Sequence, residues 1–549
     1  MISPAALPAI FPSAFGWILF LSATAGAVGS FLSPKITPLP RWLWWLLLAG
    51  ALLAFRWPLL WAPHQFNPDE SQLISGALTL RYDPVFWRSV DGGNAGPLNF
   101  YPLLPAAWAD GFSSYVVARL IGLAAIFGTI FLAGETLVLV FGASVARLTV
   151  LPALAFHALT VSPDFTYYST ELIPALLVAL ASWLAVRPST TPARLWFIAF
   201  LLGASPWAKP QVLPLAFVIW LLVTLRAARS TPRPSLLPLL VGPLLPALAC
   251  FGLAAGTGQL EHLVTPFFFQ SLNYAQTNAA FLSWPETIKL QWQNSFIDGY
   301  LGLWIAGALA FAPLALARFH DASAQLRRAT ATTALLLVAG LLCALAPRLP
   351  SLHYLHFLTL PLIWATGTAL ALALALGGLR RARLVAGLFL LCTLLPLLAQ
   401  RLQHPDPLAA YRRTAPEPAQ LRLTQLIRQL SDSGEPIAIW GWRSSLYVES
   451  ARPQATRQAH SGAQIATGPL QSYFLRRYLE DFQRADPPVF IDAVGPGNFV
   501  FEDRNRAHES FPPLRAAIAA RYTYVVTLGG ARLYVRHDRL PRLDPAAAL

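Results

Sequence analysis

The chain has 549 residues, of which 55% are apolar and 12% charged, with a mean hydropathy of +0.51. So little polar surface excludes a water-soluble globule over most of the length, and lipid must solvate it. The formal charge of +14 is not a nucleic-acid signal, because the arginines stand at the ends of apolar runs, the placement that sets membrane topology.

A helix needs about 20 apolar residues to cross a bilayer. Runs that qualify lie near 9–32, 41–61, 113–140, 143–162, 170–187, 210–226, 235–257, 299–318, 329–347, 354–377 and 382–400, and a shorter one at 194–208 brings the expected total to about twelve. No basic region precedes the first run, so it is expected to be retained rather than cleaved as a leader. Cys250, Cys343 and Cys392 all fall inside apolar runs and suit neither disulfides nor a metal cluster. One set of connections carries Lys35, Arg41, Arg147, Arg187, Arg194, Arg226, Arg229, Arg233, Arg318, Arg327, Arg328, Arg380, Arg381 and Arg383. The opposite loops hold little beyond Lys209, Lys289 and Arg348. This asymmetry predicts that the N-terminus, the loops 62–112 and 258–298, and everything after about 401 lie on the outer face.

Past Gln400 the composition turns to Pro, Arg, Asp and Glu around short alternating units, which predicts a domain boundary. Helices are expected at 418–431, 470–485 and 511–520, and strands at Ile437 to Trp440, Val489 to Ile491, Tyr522 to Thr527 and Arg532 to Arg536, with a turn at Gly529 and Gly530. The expected architecture is an α-helical multi-pass membrane domain, 1–400, followed by a small α/β soluble domain, 401–549. Gly495, Pro496 and Gly497 lack the context of a phosphate loop.

The candidate chemistry gathers on the outer side. Asp69 and Glu70 open a helix in the first loop; they either cap it or act as a base and its partner. Asp164 and Glu171 stand at the same predicted depth, with Lys209 and Gln211 in the next outer turn and His353 and Tyr354 in a later one. Carboxylates and cations at one face suit an anionic lipid phosphate, although Lys209 at a helix end is also consistent with snorkelling. Arg119 lies inside a predicted span and is expected to pair internally with an acid or a phosphate, whereas Arg56 is expected to snorkel. Aromatic residues such as Phe267, Trp284 and Trp292 in the loop 258–298 suit either an interfacial anchor or the wall of a lipid groove.

These pieces resemble the bacterial protein O-mannosyltransferase type of the GT-C membrane glycosyltransferases. The resemblance rests on Asp69 Glu70; Gly96 Pro97 Leu98 Asn99 with Tyr101; Ala118 Arg119 Leu120; Tyr168 Ser169 Thr170 Glu171; Ala208 Lys209 Pro210 Gln211; and His353 Tyr354. In the tail, Trp440 Gly441 Trp442 and Ala455 Thr456 Arg457 add to it. It implies a polyprenyl-phosphate sugar donor, inversion at the anomeric carbon and an acceptor that is a lipid, glycan or protein. By position it implies Asp69 as general base, Glu70 and Glu171 organising the acceptor or a divalent cation, and Arg119, Lys209 and His353 facing the phosphate. Gln211, Tyr354 and Tyr101 would complete substrate binding. Ala95 and Gly96 depart from relatives that carry a basic residue there. The rival reading is a lipid or glycan transporter, which would favour polar groups at the midplane and related halves. Trp442, Arg443, Arg457 and His460 are open to either acceptor binding or packing. The expected location is the bacterial inner membrane, with the tail in the periplasm and membrane lipids as partners.

Overall fold

The computed structural model describes residues 13–33, 35–188, 191–231, 234–271, 282–297, 301, 304–305, 320–403 and 418–543. Among them, seven helices are long and apolar enough to cross a membrane: Ala14–Leu32, Arg41–Leu60, Phe112–Phe141, Pro210–Ala228, Leu237–Gly256, Ala324–Leu345 and Leu352–Ala399. The other runs among the expected twelve take local forms. The runs 354–377 and 382–400 form one helical stretch, Thr359–Gln403, broken in conformation only at Gly378 with φ 67° and ψ −171°. Ala143–Leu159, Leu172–Val186 and Pro192–Ala204 are apolar but only 17, 15 and 13 residues long. Most of the run 299–318 lies outside the described residues.

The chain divides into two compact units, the first made of Met1–Trp61, Gly122–Cys250 and Leu282–Ala409. Its core is built where small residues let helices approach closely, as at Ala146, Ala153, Ala155 and Ala158 of Ala143–Leu159, all buried. Two of the buried charges inside this apolar unit have clear partners. The Glu135 carboxylate accepts from Trp45 Nε1 and from Arg41 Nε, each at 2.8 Å. Arg56 corrects the snorkelling expectation: it is buried and donates from Nε to His157 O at 2.6 Å and from Nη2 to Phe165 O at 2.7 Å. Carbonyls near the C-terminal end of Ala143–Leu159 lack helical partners and carry the negative end of its dipole, so they draw the guanidinium inward.

The second unit comprises Ala62–Ile121, Phe251–Phe281 and Ala410–Leu549. Its tail carries a four-stranded sheet in the order β1-β2-β4-β3, with β1 Ala438–Gly441, β2 Val489–Ala493, β3 Tyr522–Leu528 and β4 Ala531–Arg536. β1 and β2 are parallel, and β4 pairs antiparallel with both β2 and β3. Alternation along the strands sends Ile439, Val489, Ile491, Leu533 and Val535 to a core shared with Leu423, Ile427 and Leu430 of Pro418–Leu430. Trp440 and Phe490 point the other way, into a core with Tyr478 and Phe482 of Gln471–Ala485 and Ile518 of Pro512–Arg521. Gly529 and Gly530, with φ of 52° and 78°, make the two-residue turn between β3 and β4 that residues with a Cβ adopt poorly.

Candidate active-site residues in each unit

In the second unit the helix Pro68–Tyr82 starts on a strong signal: Asn67 caps it by accepting from Asp69 N at 3.0 Å, and Pro68 takes the first helical position. This start fixes Asp69 and Glu70 in the first turn, but it gives them different surroundings. Glu70 is fully buried and receives Arg119 Nε at 2.7 Å, Arg119 Nη2 at 3.0 Å and Phe66 N at 2.9 Å. Arg119, 1% exposed, also donates to Ala62 O at 2.7 Å and His64 O at 2.6 Å and lies 3.8 Å from the Phe66 ring centroid. The expected internal pairing of Arg119 is therefore with Glu70. Asp69 is only half-buried.

The rest of the first loop is tied down within the same unit. Asp91 accepts from Gly93 N at 2.8 Å, its own backbone N donates to Arg457 O at 2.8 Å, and its carboxylate pairs with buried Arg477. Gln454 N donates to Thr79 Oγ1 at 3.0 Å. Gly92 allows a close approach, because a Cβ there would meet Ala95 O at 2.3 Å. The Tyr101 hydroxyl donates to Pro84 O at 2.8 Å, a contact that supports the loop.

A separate polar centre lies in the first unit. Lys209, 3% exposed, pairs with fully buried Glu171, donates to Thr170 Oγ1 at 2.6 Å and lies 4.9 Å from the Tyr354 ring centroid. His353 packs edge-on to Tyr354 at 4.6 Å, and its Nδ1 is 3.8 Å from the Asp164 carboxylate, which also accepts from Leu352 N at 3.1 Å. Glu171, Lys209, His353 and Tyr354 are thus brought together. Gln211 is not: its amide donates to Cys343 O and ties two apolar helices. Sequence reasoning passed over His356, one turn beyond His353, whose ring stacks on His157 at 5.5 Å with 4° between planes. The repeated histidines in the short run Leu352–Leu358 were the available signal.

The tail candidates are mostly held by packing. Arg443 donates to Gly529 O at 2.5 Å and to Gln420 at 2.9 Å, and Trp442 stacks on His460 at 4.1 Å. Burial pushes the His460 imidazole down to about 4. Among the described residues one trio has ligand atoms close enough for a metal ion: Asp492, His508 and Glu509. Arg532 bonds both of its carboxylates, and it lowers Glu509 to about 2 against the raising effect of burial. The arginine thus supplies positive charge to both carboxylates of the trio. Glu70 and Glu171, the acids suggested for a divalent cation, are likewise each paired with a basic side chain.

The membrane helices and the small tail sheet have a GT-C-like fold. Among solved structures, the chain is similar to ArnT from Cupriavidus metallidurans bound to undecaprenyl phosphate, with a TM-score of 0.53 at 12% identity, covering 90% of this chain and 98% of that one. Against the same protein in the apo state the TM-score is 0.51 at 13% identity, with 91% and 99% covered. At that identity the likeness is one of fold. No protein-family model matches the chain, and no curated protein matches it.

Proposed function

We propose that the protein is an inverting glycosyltransferase that moves a monosaccharide from a polyprenyl-phosphate donor to an acceptor at the outer face of the bacterial inner membrane. The observation that carries this reading is the division of labour in the adjacent acids: Arg119 immobilises Glu70, and half-buried Asp69 beside it takes the role of base. A lipid phosphate is already a good leaving group, so the reaction needs one base, fixed positive charge for the departing phosphate and exclusion of water. Lys209, aligned by Glu171 and Thr170, is assigned the positive charge. His353 and Tyr354 are assigned the adjoining wall of the donor site. The similar ArnT structure bound to undecaprenyl phosphate supports a donor of the polyprenyl-phosphate class. Glu70 and Arg119 become positioning residues that hold the helix start on which Asp69 stands. The tail and the loops 62–112 and 258–298 are assigned to the periplasmic side, in keeping with the arginine asymmetry.

The acceptor in this proposal is a lipid, a glycan or a protein. The test is incubation of the purified protein with polyprenyl-phosphate monosaccharides and membranes of its host, followed by anomeric analysis of the product. The reading requires a new glycosidic bond of inverted configuration and release of the free lipid phosphate. Recovery of the sugar still joined to its lipid, but on the opposite leaflet, would overturn it in favour of transport.

A further inference from the structure

A second polar cluster, entirely within the second unit, has no part in the proposed reaction. Arg457 and Arg477 are 7% and 2% exposed, and each keeps one guanidinium nitrogen, Nη1, buried without a hydrogen-bond partner among the described residues. Of their other nitrogens, Arg457 Nε donates to Arg88 O at 3.0 Å and lies 3.4 Å from Asp481, and Arg477 Nη2 pairs with Asp91. The two arginines lie in each other's field. Counting Arg484, which is exposed and bonds Asp481 at 2.8 Å, three cations face two buried carboxylates. Half-buried Tyr473 packs against Arg477, whose Cζ is 5.4 Å from its ring centroid, and its hydroxyl is 2.8 Å from His262 Nδ1. Burial first, and then the two arginines, push His262 down to about 4, so it stands there as a neutral hydrogen-bonding group.

Buried guanidinium N–H groups without partners are rare and call for an acceptor. Chloride offers no oxygen and a carboxylate two, whereas a phosphate monoester offers three terminal oxygens, enough for the two Nη1 groups and a donor on the rim. We infer that Arg457 and Arg477 form the floor, and His262 and Tyr473 the accessible rim, of a binding site for a phosphate monoester. The site joins the first loop, through Arg88 and Asp91, to the tail, so an occupant would brace the two segments that Asp91 and Arg477 already connect. This inference concerns binding alone and does not depend on sugar transfer.

The test is calorimetric titration of the full chain in phosphate-free maltoside micelles. A Lys209→Gln/Glu171→Gln background removes the cation of the first unit from the measurement. Inorganic phosphate is the first probe, and dihexanoyl phosphatidic acid below its micellar concentration is the second. Saturable binding is expected, weakened at least tenfold by Arg457→Lys, by Arg477→Lys, and by His262→Gln with Tyr473→Phe. Binding of inorganic phosphate alone supports the site with a free anion as its occupant, and binding of both probes supports it with a lipid headgroup. Absence of saturable binding to either probe, as for a site that holds only water, overturns the inference. Equal binding in all the variants does the same by placing the anion elsewhere. Should the arginine variants fail to fold, the rim variant, which keeps both buried ion pairs, decides.

Discussion

Replacing Glu70 by Gln keeps the shape of the side chain and removes its charge, and the consequence follows from what Arg119 is left with. Both residues are at most 1% exposed, so the variant buries a guanidinium whose counter-charge is gone, although Ala62 O and His64 O still accept from it. Breaking a buried pair from one side destabilises by about 3–5 kcal/mol. At about 2–4 °C per kcal/mol for a domain of this size, the thermal midpoint in detergent should fall by roughly 6–20 °C. Replacing both partners with Glu70→Leu/Arg119→Met should recover much of that loss, because two apolar groups leave no charge unpaired. Activity, corrected for folded protein and measured well below the midpoint, should fall far less in Glu70→Gln than in Asp69→Asn. A Glu70→Gln protein that melts with the wild type yet is as inactive as Asp69→Asn would refute the reasoning. It would make Glu70 the reacting carboxylate and Arg119 its modulator.

Three further outcomes are expected. Lys209→Met leaves Glu171 buried and unpaired and should destabilise by about 3–5 kcal/mol, whereas Lys209→Met/Glu171→Gln should melt closer to the wild type and still fail to retain a polyprenyl-phosphate probe in a filter-binding assay. Gly92→Ala drives a methyl group into Ala95 O and the Phe100 ring, at 2.3 and 2.5 Å, and should make the first loop susceptible to limited proteolysis at concentrations that spare the wild type. His460 is lowered from 6.5 to about 4, so the unfolded chain takes up the proton first as pH falls. Its contribution is present above about pH 6.5 and lost progressively down to about pH 4. The loss reaches at most about 3 kcal/mol, and unfolding curves of His460→Asn should be flatter across that window.

What the sequence made legible follows the range of the physics involved. Apolar length marks a membrane helix locally, and period-two alternation marks a strand, so the three helices and four strands expected in the tail lie within a residue or two of their places, while short helices such as Ser445–Ser450 were not foreseen. The break at Gly378 was legible only as a gap between two apolar runs. Local signals also put Asp69 and Glu70 at a helix start. Which of the two is immobilised depends on Arg119, 49 residues from Glu70, and no spacing rule reaches that far. Arg56 was misread for a related reason: its distance from the helix end was visible, but the carbonyls of His157 and Phe165 that capture it belong to another segment. The pairing of Asp91 with Arg477 spans 386 residues and left no trace in either local sequence. His356 stood in plain view, but its stacking on His157 required the helices to be packed first.

The measurement that bears most directly on the central claim is sugar release from a panel of radiolabelled polyprenyl-phosphate monosaccharides by membranes that retain their native lipids and proteins. Wild type and Asp69→Asn are compared at equal amounts of folded protein. The account predicts release from at least one donor by the wild type and its loss in the variant, by a factor of about 100 or more for removal of a general base. Release that persists unchanged in Asp69→Asn, or no release from any donor with surface glycans identical in the two strains, would contradict it.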